Sequence, residues 1–140
     1  MSEDLLADYA VGSPTRLALD VLAHKWTLLI VLALKGGPLR FTRLRAQVPG
    51  VTSQVLADSL RELDRDGIVV RHEYQAVPPH VEYSLTELGA SLCAPARAIR
   101  AWAEANGQTV IAARQRYDGA GAGPAGGSWS SPAGQSDSTV

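Results

Sequence analysis

Hydrophobic positions along this chain change their spacing several times, and each change marks an element. Leu17, Ala18, Val21 and Leu22 share one side of a helix that Ser13 can cap and Pro14 can open, since the first helical residue needs no N–H of its own. From about Lys25 a second stripe, Trp26, Leu29, Ile30, Ala33 and Leu34, predicts a buried central helix that Gly36, Gly37 and Pro38 bring to an end. A short third helix from Phe41 or Thr42 to Val48 puts Phe41, Leu44 and Val48 on one face before the break at Pro49-Gly50. Thr52 can cap a fourth helix with Leu56, Leu60 and Leu63 inside, and Gly67 ends it. Two helices across a short glycine-containing turn form a helix-turn-helix.

The period then falls to two. Ile68 to Tyr74 is rich in β-formers, and His80 to Leu85 alternates with Val81, Tyr83 and Leu85 on one face. These segments predict a hairpin, joined through Gln75 to Pro79, where two prolines suit a projecting loop. Thr86 caps a last helix carrying Leu88, Leu92, Ala96, Ile99, Trp102 and Ala103, bent at Pro95 and closed by Asn106-Gly107. The order gives an α+β, mostly α fold: a winged helix-turn-helix with a two-stranded wing and terminal dimerisation helices.

Composition sets the borders. Residues 1–12 form an N-terminal arm that is helical or loose, 13–106 the winged domain and 107–118 a helical extension. From Gly119 to Val140 the chain is a Gly/Ala/Ser/Pro tract, expected to be a disordered tail in which Trp129 is incidental. At 140 residues one ordinary domain fits. No apolar run approaches the roughly 20 residues that span a bilayer, and the start lacks a basic secretory region, so a cytoplasmic protein without membrane contact is expected. The single cysteine, Cys93, has no partner for a disulfide and no Cys or His at zinc-finger spacing, so no metal site and no cofactor are expected. Gly-rich phosphate loops, nucleophile elbows and H-E-x-x-H signatures are missing too, which speaks against an enzyme.

The residues Ala18 to Ile30 around Lys25-Trp26-Thr27, their continuation from Gly37 to Leu44, and above all the segment Tyr74 to Gly89 resemble the HxlR family of bacterial winged helix-turn-helix regulators. The resemblance runs from about Ser13 to Trp102 and implies a transcriptional regulator, a homodimer acting on double-stranded DNA. Leu92, Ala96, Ile99 and Trp102 are then candidates for the dimer interface, with an intramolecular core as the other reading of Trp102. Many members carry a cysteine where this chain has Ser13, and in some it senses oxidants or aldehydes; serine lacks that chemistry. Cys93 reads as a buried structural thiol.

In such a layout the fourth helix enters the major groove. Thr52, Ser53, Gln54, Ala57 and Arg61 lie off its leucine stripe: glutamine can bond adenine through two hydrogen bonds, serine can serve bases or phosphates, and alanine can meet a thymine methyl. Arg61 has a second reading, pairing with Asp58 or Glu62. Asp58 faces phosphates unfavourably and receives no role. The net charge of −1 hides an asymmetry, because Lys25, Lys35, Arg40, Arg43 and Arg45 follow one another between Val21 and Gly50 with no acidic residue among them. Arg40, Thr42 and Arg43 at the start of the third helix, and Lys25 at the start of the second, are candidates for phosphate contact. Arg71, His72 and His80 flank the wing tip and can reach a phosphate or the minor groove.

The expected function is repression by occupying a pseudo-palindromic operator. A small-molecule effector of unknown identity could bind between the terminal helices and the winged core. The alternative is a winged-helix protein-interaction module without DNA binding, because Asp58, Glu62, Asp64 and Asp66 outnumber Arg61 and Arg65 on and just after the fourth helix.

Overall fold

The computed structural model describes residues 9–121. The expectations for the start of the N-terminal arm and for the tail from residue 122 on, Trp129 included, lie outside these residues. The chain divides into two compact units, one ending at Arg100 and one beginning at Ala101.

In the first unit, α1 (Pro14–Ala23) starts as predicted: the Ser13 side-chain oxygen accepts from the Arg16 N–H at 3.2 Å, and Pro14 takes the first helical position. None of its residues is buried. The next helix, α2 (Lys25–Leu34), buries Thr27, Ile30, Val31 and Leu34. That face is turned from the predicted stripe, leaving Leu29 39% exposed. From Trp26 onward the helix is apolar on nearly every side, so helical spacing alone admits more than one inward face.

After the turn at Gly37, where φ is +128°, residues Leu39–Arg40 form β1, a strand too short for any periodicity to reveal. Helix α3 (Phe41–Gln47) and helix α4 (Ser53–Arg65) follow across a turn at Gly50. Thr52 caps α4 by accepting from the Val55 N–H at 3.2 Å. At its other end Gly67 adopts φ +76°, its N–H reaches the Asp64 carbonyl at 3.1 Å, and the Ile68 N–H reaches the Leu63 carbonyl at 2.9 Å. This Schellman closure delivers Ile68 and Val69 straight into the core.

Strands β2 (Val69–Tyr74) and β3 (His80–Leu85) pair antiparallel in the register Val69↔Leu85 to Tyr74↔His80, which makes the wing. β1 adds a third strand on the other edge of β3, with Leu39 opposite Tyr83 and Arg40 opposite Glu82. The sheet therefore holds the start of the helix-turn-helix to the wing. Its core joins Ile30, Val31 and Leu34 of α2, Leu44 of α3, Leu56, Leu60 and Leu63 of α4, and Val69 of β2.

The last predicted helix is two helices. α5 (Glu87–Ser91) is capped by Thr86, and α6 (Cys93–Ala120) begins after a turn at Leu92. Pro95 explains the break, for a proline there has no N–H to return to the Ser91 carbonyl. Leu88, on the apolar stripe of the predicted last helix, is 55% exposed on α5. In the second unit α6 runs through Asn106-Gly107 without stopping; Asn106 is held by its side-chain donation to the Trp102 carbonyl at 2.9 Å. No single described helix is long and apolar enough to cross a membrane.

Candidate nucleic-acid interface

The fully buried leucines of α4, Leu56, Leu60 and Leu63, fix its rotation, and the opposite face follows from it. Thr52, Ser53, Gln54, Asp58 and Arg61 are exposed, and Ala57 is half-buried. Three of these side chains converge. The Gln54 Nε2 donates to Asp58 Oδ1 at 3.0 Å, and the Arg61 guanidinium donates to the same oxygen. The two donors hold the Asp58 carboxyl below its ordinary range, the Gln54 hydrogen bond contributing most and the Arg61 hydrogen bond next. Arg61 thus takes the second of its two readings in the free protein, with Asp58 as partner. Spacing of three and four residues is the signal for such a cluster.

Elsewhere the candidates stand on separate elements. Arg40 is exposed as the last residue of β1 and the residue capping α3, while Thr42 and Arg43 are exposed in the first turn of α3. Lys25 opens α2 with its ammonium 4.5 Å above the Trp26 ring, an arrangement that steadies the cation on an aromatic face.

In the wing, a period of two sets Arg71 beside Glu73 and His80 beside Glu82. Arg71 pairs with Glu73, and that hydrogen bond first, then one with Tyr83, raises the guanidinium pKa above its usual value. His80 Nε2 lies 3.7 Å from Glu82 Oε1 and stacks on Tyr74, with ring centroids 4.8 Å apart. The His72 ring lies tilted beside Tyr74, with centroids 5.5 Å apart. Sequence reasoning named Arg71, His72 and His80 but passed over Tyr74, Glu73 and Glu82. Alternation along the strands could have exposed the two carboxylates, whereas the stack depends on the register across the hairpin.

A helix-turn-helix whose second helix presents a polar face, followed at once by a paired wing, is the winged helix-turn-helix layout, and the match to the HxlR-like family model decides which family it is. The chain belongs to the HxlR-like helix-turn-helix family. The family's model matches residues 21–110. The HTH-type transcriptional regulator YtfH of Escherichia coli is 42% identical over 106 residues, which cover 76% of this chain and 84% of that protein. The solved structure of YtfH from Salmonella typhimurium is 41% identical, with a TM-score of 0.67, and the match covers 76% of this chain and 96% of that one. The redox regulator HypR in its reduced form is 39% identical, with a TM-score of 0.64, covering 71% and 99%. This HxlR-family chain is accordingly a transcriptional regulator with a helix-turn-helix DNA-binding fold.

Of the residues expected at a dimer interface, Ile99 in the first unit is 45% exposed and Trp102 in the second is 62% exposed. Leu92 is half-buried against the core. Ala96 is 1% exposed and packs in the core of its own chain. Ser13 serves as the cap of α1. A crevice lined by Val21, His24, Thr27, Ser59, Glu62, Leu63 and Asp66 encloses about 20 Å³, about the space of one water molecule. Among the described residues no group of three His, Cys, Asp or Glu side chains is placed to hold a metal ion.

Proposed function

We propose that this chain is a homodimeric, sequence-specific repressor that places α4 in the major groove of a pseudo-palindromic operator and rests the β2–β3 wing against the adjacent groove. The observation that carries the reading is the exposed polar face at the start of α4, presented rigidly by a buried leucine stripe and followed directly by the wing. Arg40, Thr42 and Arg43 supply phosphate contacts, Lys25 another, and Ser53, Gln54, Ala57 and Arg61 meet base edges. Dimerisation is supported by the apolar surface left on the terminal helices: Leu17 is 66% and Leu19 47% exposed on α1, and Ile99 and Trp102 are exposed on α6. A small-molecule effector of unknown identity binds where the apolar surfaces of two subunits meet. Its binding shifts operator affinity by favouring one spacing of the two recognition helices.

The test is titration of the protein onto its own promoter fragment with excess non-specific competitor, alongside an Arg43→Ala/Gln54→Ala double variant. The wild type retards the fragment under competition and the variant does not. A second reading, the protein-interaction module, is favoured by one observation: Asp58 already occupies Arg61, leaving α4 poor in unpaired cations. If wild-type protein binds no duplex at low salt, that reading replaces the first.

A further inference from the structure

Asp58 is out of place on a helix that faces DNA. A carboxylate repels phosphates, and when a groove closes over it, its lost water must be replaced by hydrogen-bond donors. Here its own helix supplies both: Gln54 one turn before and Arg61 one turn after donate to the same oxygen, Oδ1. Folding does not account for the arrangement, because the Arg61 and Asp58 side chains are 71% and 52% exposed and ion pairs at such exposure contribute little to stability.

A glutamine amide carries a donor group and an acceptor, and rotation about its last torsion exchanges them. Asp58 removes that freedom. An ionised carboxylate only accepts, so the Gln54 NH2 group must face it, as it does at 3.0 Å. The flipped amide would set Oε1 against Oδ1 with no proton between them. Held this way, Gln54 keeps one N–H and the Oε1 for a base edge. That pair matches the N7 acceptor and N6 amino donor of adenine, and not guanine, which presents two acceptors there. Arg61 is meanwhile bound to a neutralising partner and withheld from the phosphates.

We propose that Asp58 is a specificity-determining positioning residue: by holding the Gln54 amide and the Arg61 guanidinium on one carboxylate oxygen, it fixes the base edge the recognition helix reads and suppresses sequence-independent binding. The inference rests on the DNA-binding reading above. Removing the carboxylate frees the amide to rotate and frees Arg61 for phosphate, so specificity falls while non-specific affinity rises.

The test is selection of bound sequences from a randomised duplex pool, with salt-dependent titrations on a non-specific duplex, for wild type, Gln54→Ala, Asp58→Ala and Asp58→Asn. Gln54→Ala identifies the base pair that Gln54 reads. At that pair the wild type prefers adenine about ten-fold or more, and Asp58→Ala about two-fold or less, as expected when one bidentate base contact is lost. Asp58→Ala also binds the non-specific duplex more tightly, with a salt dependence steeper by about one released counterion per protomer. Asp58→Asn loses most of the adenine preference too, because its own amide can rotate and set its NH2 against the Gln54 oxygen, and it shares the raised non-specific affinity. A merely structural role would weaken binding to every duplex, whereas these variants bind the non-specific duplex more tightly, and thermal unfolding checks that both remain folded. If Asp58→Ala selects the same sequence as wild type with the same preference, the proposal is overturned and DNA binding stands. If the wild type itself selects no sequence, the DNA-binding reading falls and the proposal falls with it.

Discussion

A methyl group at Gly89 has no room. Its Cβ would lie 2.1 Å from the Ile68 carbonyl oxygen and 3.1 Å from Leu85 Cδ2, and that oxygen is pinned by the Thr86 N–H at 3.0 Å. Gly89→Ala is expected to destabilise the fold by about 3 kcal/mol, as overpacking against backbone does, read from urea unfolding at fixed protein concentration. Gly107→Ala has the opposite sign, since nothing lies within 4 Å of its Cβ and the helix gains about 0.5–1 kcal/mol from losing a flexible residue. The same letter thus carries opposite meanings, and only the packing around it tells them apart. Asp58 was legible as a misfit, an acid on a helix expected to face DNA; Arg61 carried a second reading as its partner, whereas Gln54, also at the right spacing, was read only as a DNA contact. Because its folded pKa is lowered, the pairing contributes stability above the ordinary carboxylate value and loses it as pH falls through the lowered one. An NMR titration of the Asp58 carboxyl should give a midpoint below the ordinary range, and Gln54→Ala should move it up toward that range, since Gln54 is the largest cause of the shift.

Between elements, side chains acting over three or four residues were easy to foresee, and those that depend on remote partners were not. Ser13, Thr52 and Thr86 all cap the helices they precede, because capping is decided by one hydroxyl and the backbone just beyond it. β1 escaped notice since two residues become a strand only when Tyr83 and Glu82 lie opposite them. The inward face of α2 was misplaced for a related reason: its neighbours, not its own pattern, choose among apolar sides. Thr86 shows how much one cap can hold. Its hydroxyl oxygen accepts from the Gly89 N–H at 3.0 Å, and the hydroxyl lies within hydrogen-bond distance of the Gly67 and Ile68 carbonyl oxygens, at 2.5 Å and 3.1 Å. It therefore ties the end of α4 to the start of α5. Thr86→Ala should cost about 2 kcal/mol, the upper range for a lost cap, whereas Thr52→Ala, which removes one exposed bond, should cost about 1 kcal/mol. Amide hydrogen exchange at Gly89 and Val55 would locate the two losses.

For the whole molecule, net charge is a poor guide to what it binds, and local charge a good one. The chain carries −1 overall, yet Lys25, Lys35, Arg40, Arg43 and Arg45 form a run with no acid between Val21 and Gly50. This run spans α2, β1 and α3 and leaves out α4, whose Arg61 is neutralised by Asp58. On the proposed reading, affinity and specificity fall to different elements: cations before the recognition helix would attract any duplex, and the polar face of α4 would choose among sequences. The separation makes a quantitative demand on the proposed dimer. With Lys25, Arg40 and Arg43 each neutralising one phosphate per protomer, the logarithm of the binding constant should fall with the logarithm of salt concentration at a slope of roughly −5. Arg43→Ala should reduce that slope by about 2 without altering the preferred sequence, while Gln54→Ala should leave the slope unchanged and erase a base preference. A protein-interaction module would show neither pattern, since it releases no counterions from a duplex. A slope that Arg43→Ala leaves untouched would move the phosphate contacts off α3 and break the proposed division between the two helices.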